Sequence, residues 1–464
     1  MTAPPLDPPS EPNAEAAVGE LPRKLGMLSA TMIVVGAIMG GGIFFTPANV
    51  AQHLDGVAII LGVWAIGGLV ALAGAFTFAE LGAMRPQAGG AYVYLRETMG
   101  GLPAFLYGWM LLTTIGSGAA AAVAVAFANY LGQYVDLALV GGPVRAAALT
   151  IVVLAVLNYV GVRPGAIVQN TLTIAKTAAL GLLIILGFAM WARLADPPSA
   201  LGVPAPPSGV WLALAGAFVP VLFSIGGWQN LNMVAGEIRN PARLLPRALA
   251  LGVTIVIVCY LGANAVYLRA LGRDGLALSG AVAADTARVI AGETGAKWIT
   301  IAVMVSILGI VNVILMATPR VFYAMSRDGL FFRFAGTVHP RFGTPHRSIM
   351  LMAFWSLALL FLSGGDMNEL LSGVVFADWI FFALGGATIF VYRVREPNAV
   401  RPYRALGYPV VPALFVLAAL LAVASAILGA PEASLRGALL LASGVPAYLI
   451  LSLLERRRRS ASGV

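Results

Sequence analysis

Long apolar runs separated by short polar stretches dominate this chain. Twelve runs of roughly 20 mostly apolar residues follow one another, and each is long enough to cross a bilayer as a helix. A membrane β-barrel would instead show segments of about ten alternating residues, which are absent from this sequence. We therefore predict an all-α polytopic membrane protein with twelve transmembrane helices. The runs cover approximately residues 27–51, 57–82, 102–130, 144–161, 165–191, 211–234, 247–268, 297–325, 348–364, 369–392, 408–429 and 435–454.

Composition supports this interpretation and limits the possible functions. The 464 residues are 59% hydrophobic and only 11% charged, whereas soluble domains carry about 25% charged residues. So few charges cannot cover a soluble protein of this size, which excludes a cytosolic enzyme and a disordered chain. Cys259 is the only cysteine, so no internal disulfide can form. The sequence contains no nucleophile with a base, no Walker A motif and no metal-ligand spacing, and we predict no enzyme activity, cofactor or metal site.

The basic residues predict how the chain is oriented in the membrane. With a cytoplasmic N-terminus, the inner loops hold about three Lys or Arg residues for every one in the outer loops. The positive-inside rule then places both termini in the cytoplasm, because twelve spans return the chain to the side on which it started. The net charge of +9 therefore reflects these loops and does not indicate a nucleic-acid partner. Residues 1–22 are predicted to be a disordered cytoplasmic tail, and residues 456–464 a basic cytoplasmic tail.

Glycine clusters interrupt the first and the sixth predicted helices. The segment from Gly36 to Pro47 contains three consecutive glycines, and the segment from Phe223 to Trp228 contains two. Each glycine weakens a helix by about 1 kcal/mol relative to alanine. Close helix packing would also explain a single glycine pair. Breaks in corresponding positions five helices apart instead favour an inverted five-helix repeat with a binding site at the two breaks.

The backbone exposed at two such breaks indicates what kind of ligand they bind. Freed N–H groups and a helix N-terminus attract an anion such as a carboxylate, whereas freed carbonyls attract an ammonium group. Unpaired backbone cannot face lipid, so both breaks must line a cavity within the protein. A ligand that carries both charges a few ångströms apart suits the two breaks together, and an α-amino acid is the obvious case.

Several motifs follow one another in a recognisable order. They are the segments 36–47, 87–95, 223–230 with 235–241, 324–329, and 401–404 with 407–409. This ordered set resembles the amino acid–polyamine–organocation (APC) superfamily, and within it the L-type amino acid transporter branch and its bacterial exchanger relatives. The resemblance covers about residues 23–455 and implies a LeuT-type five-plus-five fold. Its core would be residues 23–392, with repeats at about 27–191 and 211–392, and residues 393–455 would add helices 11 and 12.

The same resemblance implies a substrate site at the two breaks. The first break would hold the substrate carboxylate through its backbone, and the second break would hold the α-amine. Phe223 corresponds to the aromatic lid of the family, and Trp228 beside the second break is a candidate gating residue. Many members of the branch have Ser at the position of Gly41, so a hydroxyl contact is lost here while the backbone donors remain. The substrate-binding residues implied in this way are Ile38, Gly40, Gly41, Gly42, Ile43, Phe223, Ser224, Ile225 and Gly226.

Two charged residues within predicted helices are candidates for coupling. A charge at mid-membrane costs about 2.5–3.5 kcal/mol on insertion scales, and Lys176 lies in the middle of predicted helix 5. It matches the family's helix-5 lysine and resembles an ammonium that replaces the cation of sodium-coupled relatives, which implies sodium-independent transport. A lysine that only bonds carbonyls is the alternative. Asp378 in predicted helix 10 stands where relatives often have Asn, and it would either carry a proton or bond a neighbouring helix.

The predicted function is secondary active transport of L-amino acids, with neutral ones favoured, by exchange across the cytoplasmic membrane. Proton-coupled uptake and a cationic amino acid or polyamine antiporter are the alternatives, both because of Asp378. A non-transporting sensor would need only one stable ligand site, so two intact breaks argue against it. Eukaryotic relatives join a single-pass subunit through a cysteine between helices 3 and 4. The corresponding loop, about 131–143, has no cysteine, and we expect no disulfide-linked subunit; the oligomeric state is left open.

Overall fold

The computed structural model describes residues 21–194, 209–371 and 373–462, so most of the predicted N-terminal tail lies outside the described residues. These residues form α-helices joined by short loops, with a π-helical segment at Leu111–Ile115 and 3-10 turns at Leu137–Val140, Ala235–Glu237 and Arg333–Gly336. The helices are α1 (Met27–Ile38), α2 (Gly42–His53), α3 (Val57–Met84), α4 (Ala91–Met99), α5 (Gly101–Met110), α6 (Ser117–Leu131), α7 (Pro143–Val160), α8 (Val162–Ala189), α9 (Val210–Ser224), α10 (Asn230–Met233), α11 (Pro241–Leu278), α12 (Val282–Ala317), α13 (Pro319–Arg327), α14 (His346–Leu362), α15 (Met367–Leu371), α16 (Val374–Arg395), α17 (Val410–Gly429) and α18 (Pro431–Ser462).

Ten helical stretches among the described residues are long and apolar enough to cross a membrane. Two shorter apolar helices, Ala213–Ser224 and His346–Leu362, lie at the sixth and ninth predicted positions. The prediction of an all-α, multi-pass membrane protein is therefore confirmed. The ten stretches are Met27–His53, Val57–Met84, Gly101–Leu131, Pro143–Val160, Val162–Ala189, Pro241–Leu278, Val282–Arg327, Glu369–Arg395, Val410–Gly429 and Pro431–Glu455.

Some helices extend beyond the apolar runs that predict them. Helix α12 begins at Val282, well before residue 297. The apolar pattern misses its first turns because they carry charged side chains that do not belong to an apolar run. Two helical stretches meet at a kink here, because the backbone of Ala291 and Gly292 is non-helical and the φ of Gly292, 68°, lies in the left-handed region. Helix α18 likewise continues to Ser462 and takes in most of the predicted basic tail. Hydrophobicity therefore locates the membrane-buried part of a helix and misses its polar ends.

The third span is irregular in a way that the apolar pattern does not reveal. A π-helical segment, Leu111–Ile115, separates α5 from α6. Gly116 follows it, and a Cβ atom at this position would lie 2.6 Å from the Leu111 carbonyl oxygen. Leu111, Ile115 and Gly116 line the cavity described below. The wider turn therefore shapes the wall of that cavity, as π-bulges often do at functional sites.

Backbone hydrogen bonds close one end of the molecule. The Leu25 N–H donates to the Glu237 carbonyl at 2.8 Å, and the Arg239 N–H donates to the Leu25 carbonyl at 2.9 Å. The Glu237 side chain is paired with Arg320 of α13 at 2.6 Å, and both side chains are fully buried. These contacts join the segment before α1 to the segment after α10 at the same end of the molecule.

Candidate substrate site at two broken helices

The first break separates α1 from α2. Helix α1 ends at Ile38 and α2 begins at Gly42, so Met39, Gly40 and Gly41 lie outside both helices. The glycines allow close packing, because a Cβ at Gly40 would lie 2.3 Å from Ile310 Cδ1. A Cβ at Gly42 would lie 2.4 Å from the Ser224 Oγ. The glycine cluster therefore both interrupts the helix and brings it against the second break.

The second break separates α9 from α10. Helix α9 ends at Ser224 and α10 begins at Asn230. Gly227 adopts a φ of 111°, which disfavours any residue with a side chain. A Cβ at Gly227 would also lie 2.6 Å from the carbonyl oxygen of Ala37. The two breaks are therefore in direct contact, and both lie where the sequence predicts them.

Side chains from distant helices occupy the carbonyl groups that α1 leaves unpaired. The Lys176 Nζ of α8 donates to the Gly36 carbonyl at 2.8 Å and also to the Met39 carbonyl. The Ser306 Oγ of α12 donates to the same Met39 carbonyl at 2.9 Å. Lys176 is only 1% exposed. Its ammonium group therefore lies inside the protein and neutralises the negative end of α1.

Tyr260 of α11 connects the two breaks. Its hydroxyl lies 3.0 Å from the Ile38 carbonyl oxygen and 3.3 Å from the Ser224 carbonyl oxygen. The Ser224 Oγ in turn donates to the Thr46 Oγ1 of α2 at 2.6 Å. Sequence reasoning missed Tyr260, Ser306 and Thr46 at this site. Their only signal is a polar group within an apolar run, and this does not reveal which carbonyl the group reaches.

A cavity of about 360 Å³ lies between the two breaks. The predicted residues that do not line it are Ile43 and Ile225, whose side chains are buried. Phe223, the predicted lid, lines the cavity and is 49% exposed. The predicted residues that line it are Ile38, Gly40, Gly41, Gly42, Phe223, Ser224 and Gly226.

Two helix ends of opposite polarity meet at this cavity. Gly41 and Gly42 lie at the N-terminus of α2, where the first N–H groups have no acceptor within the helix. Leu222 and Phe223 lie in the last turn of α9, where the carbonyls carry the negative end of the helix dipole. This arrangement can bind a carboxylate at one side and an ammonium group at the other.

Trp228, the second gating candidate, lies behind the cavity wall and does not line it. It is 2% exposed, and its ring stacks on Phe382 with centroids 5.6 Å apart. Phe78 and Phe415 pack edge-on against it at 5.0 and 5.9 Å. Phe382 does line the cavity, so Trp228 supports the wall from the side opposite the cavity.

The two coupling candidates occupy different surroundings. Asp378 of α16 is the only charged residue among the described residues that line the cavity. It has no ion-pair partner in the part of the chain that the structure describes. Lys176 does not line the cavity and contacts the far side of the first break. The structure therefore places a carboxyl group at the cavity and a lysine behind the broken helix.

Comparison with known proteins agrees with this architecture. A family model described as amino acid permease matches residues 25–450. The human cystine/glutamate transporter is 30% identical over 452 residues, which cover 97% of this chain and 89% of that protein. The serine/threonine exchanger of Bacillus subtilis is 30% identical over 435 residues, which cover 92% and 96%. The large neutral amino acids transporter small subunit 2 of Mus musculus is 32% identical over 419 residues, which cover 88% and 78%.

The matched region contains both breaks, the cavity between them and the spans that bring Lys176 and Tyr260 to it. The family match extends over nearly the whole chain, so it covers the segments that form the cavity as well as the remaining helices. The chain therefore belongs to the amino acid permease family, in the L-type branch of the APC superfamily, and is a membrane transporter of amino acids rather than an enzyme.

Proposed function

We propose that the chain exchanges neutral L-amino acids across the cell membrane by alternating access, without sodium. The observation that carries this proposal is the cavity between the N-terminus of α2 and the C-terminus of α9. A zwitterion placed there meets a positive helix end with its carboxylate and a negative helix end with its ammonium group. The nine predicted substrate-binding residues would act mainly through their backbone, and Phe223 would cover the bound substrate.

The contacts of Lys176 support sodium independence. A sodium ion would need carbonyl oxygens like those released at the first break. The carbonyls of Gly36 and Met39 already accept hydrogen bonds from Lys176, and Ser306 adds a further donor at Met39. A fixed ammonium group would thus replace the cation that coupling to sodium requires.

The cavity wall and the names of two relatives support neutral substrates and exchange. Apolar side chains such as Ile307, Ile310 and Val313 form much of the wall and suit an uncharged substrate side chain. One relative is named as a serine/threonine exchanger and another as a large neutral amino acids transporter. Both names are consistent with the zwitterion site inferred from the helix ends.

The proposed topology has twelve spans, in which α9 and α14 cross the membrane despite their shorter length. The five spans that begin with α1 and the five spans that begin with α9 would then form an inverted repeat. Helices α17 and α18 would be appended, and both termini would lie in the cytoplasm.

Cys259 lies in α11 and is partly buried. We propose that the chain acts without a disulfide-linked subunit, because the loop near residues 131–143 has no cysteine.

A proteoliposome counterflow screen tests this function. Vesicles loaded with one neutral amino acid are diluted into each labelled amino acid, in sodium or in choline buffer. We expect neutral substrates to accumulate only when an internal substrate is present, at the same rate in both buffers. Uptake that requires sodium, or that proceeds equally well into empty vesicles, contradicts the proposal.

Asp378 favours a second candidate, the transport of amino acids with a cationic side chain. Its carboxylate lies in the cavity wall without an ion-pair partner among the described residues and could pair with a substrate ammonium or guanidinium group. Asp378→Asn should then abolish lysine and arginine exchange and spare neutral substrates. Asp55→Asn, at an exposed residue, is the matched control. If Asp378→Asn retains cationic exchange and its full pH dependence, Asp378 has neither this role nor a role as proton carrier.

A further inference from the structure

A second cavity of about 350 Å³ lies at the end of the molecule where α1 begins and α13 ends. Its lining residues are all different from those of the substrate cavity. Its charged lining residues are Arg23 before α1, Arg96 of α4, and Arg327 and Asp328 at the end of α13. Four separate chain segments therefore surround this space, because Gly236 after α10 also lines it.

The negative charge of the single acidic residue that lines this cavity is already balanced by an arginine. Asp328 forms an ion pair with Arg96 and accepts a hydrogen bond from the Tyr92 hydroxyl at 2.8 Å. Burial, together with the neighbouring Asp328, raises the pKa of Tyr92, so the phenol keeps the proton that it donates. Because Arg96 balances Asp328, the lining carries an excess of two positive charges.

That excess belongs to Arg23 and Arg327. Both side chains are exposed, and neither has an ion-pair partner in the part of the chain that the structure describes. A guanidinium group presents several N–H donors in a rigid planar fork, which matches the oxygens of a phosphate group. Two such groups at the wall of one cavity favour a polyoxygen anion over a cation or an apolar ligand.

We propose that this cavity binds a phosphate-bearing anion, supplied either by free phosphate or by an anionic phospholipid headgroup. The anion would lie between Arg23 and Arg327, beside the segment that the Leu25 hydrogen bonds join to Glu237 and Arg239. It would join the segment before α1 to the end of α13 and so stabilise the closed arrangement of this end. This inference goes beyond amino acid transport and does not depend on the transported substrate.

Titration of inorganic phosphate into the full-length, detergent-purified chain tests the first source. We expect calorimetry to show binding that Arg23→Gln/Arg327→Gln weakens about tenfold or more, since the double variant removes both guanidinium groups that no carboxylate of the described residues balances. Arg404→Gln removes the same charge from an exposed residue outside the cavity and should leave phosphate binding unchanged. The thermal unfolding midpoint of each variant shows that it is folded.

The second source is tested by native mass spectrometry of the delipidated chain after addition of phosphatidylglycerol or phosphatidylcholine. Selective retention of phosphatidylglycerol by the wild type and Arg404→Gln, but not by the double variant, supports a lipid headgroup. Phosphate binding with no selective lipid retention supports a free anion. The proposal is overturned if the wild type binds neither probe. It is also overturned if the double variant binds each probe that the wild type binds with the same affinity. Neither binding measurement depends on transport. Both can therefore be interpreted even if the counterflow screen fails.

Discussion

The two broken helices differ in how the backbone groups released at each break are hydrogen-bonded. At the first break, the released carbonyls of Gly36, Ile38 and Met39 accept hydrogen bonds from side chains far along the chain. At the second break, most bonds are local: the Gly227 N–H donates to the Gln229 Oε1 at 2.9 Å, and the Asn230 Nδ2 donates to the Gly227 carbonyl at 2.9 Å. The first break thus depends on the positions of other helices, whereas the second largely maintains its own shape.

This difference indicates which break responds to movement of the helices around it. A shift of α8, α11 or α12 would change the partners of the first break directly, because Lys176, Tyr260 and Ser306 lie on those helices. The second break would keep its local bonds and move as a unit. Substitutions of the distant donors should therefore cost more activity than substitutions of the side chains that make the local hydrogen bonds of the second break.

Lys176→Met should have the largest effect. It removes the buried donor of the Gly36 and Met39 carbonyls, and each charged hydrogen bond contributes roughly 1.5–3 kcal/mol. We expect exchange in proteoliposomes to fall about 100-fold. Lys297→Met, which removes an exposed lysine, should exchange at the wild-type rate. Equal exchange rates for the two variants would show that transport does not depend on the hydrogen bonds that Lys176 makes at the first break.

Gly227→Ala tests the contact between the breaks. The new Cβ would press on the Ala37 carbonyl and would have to tolerate a positive φ, a strain of about 1–3 kcal/mol. Substrate affinity, measured by binding of labelled amino acid, should weaken roughly 10- to 100-fold. Gly62→Ala, at a helical glycine with open space around it, should bind as the wild type does. A wild-type affinity for Gly227→Ala would show that the two breaks can separate without loss of substrate binding.

Tyr260→Phe should reduce exchange about tenfold. It removes the hydroxyl that lies near the Ile38 and Ser224 carbonyls, and a neutral hydrogen bond contributes about 1 kcal/mol. Tyr267→Phe is the matched control on the same helix, because that buried hydroxyl has no hydrogen-bond partner among the described residues. The initial rate of counterflow distinguishes the two variants, and a loss of the same size in both would assign the effect to packing.

Asn230→Ala should have the smallest effect, about twofold on the exchange rate. It removes one local bond to the Gly227 carbonyl, while the Gly227 N–H keeps its bond to Gln229. Counterflow at saturating internal substrate measures the change. A loss as large as that of Tyr260→Phe would show that the second break is no more self-sufficient than the first.

The sequence predicts the local features of the site well and the long-range features poorly. Consecutive glycines locate both breaks, and a charge in an apolar run identifies Lys176 and Asp378, because these signals lie in a few adjacent residues. Tyr260 and Ser306 could not be assigned to the first break, since the Ile38 and Met39 carbonyls that accept their hydrogen bonds are more than 200 residues away along the chain. The burial of Ile43 and Ile225 also depends on the helices packed around them, which no local pattern specifies.

The backbone contact between Leu25 and the segment after α10 has a consequence for measuring motion. The amide hydrogens of Leu25 and Arg239 are protected only while these two segments stay joined. Their exchange with deuterium would therefore record how often this end of the molecule opens, in the native chain and without an attached probe. An amino acid that drives the transport cycle should speed deuterium uptake at these two amides, and a ligand that holds the end closed should slow it.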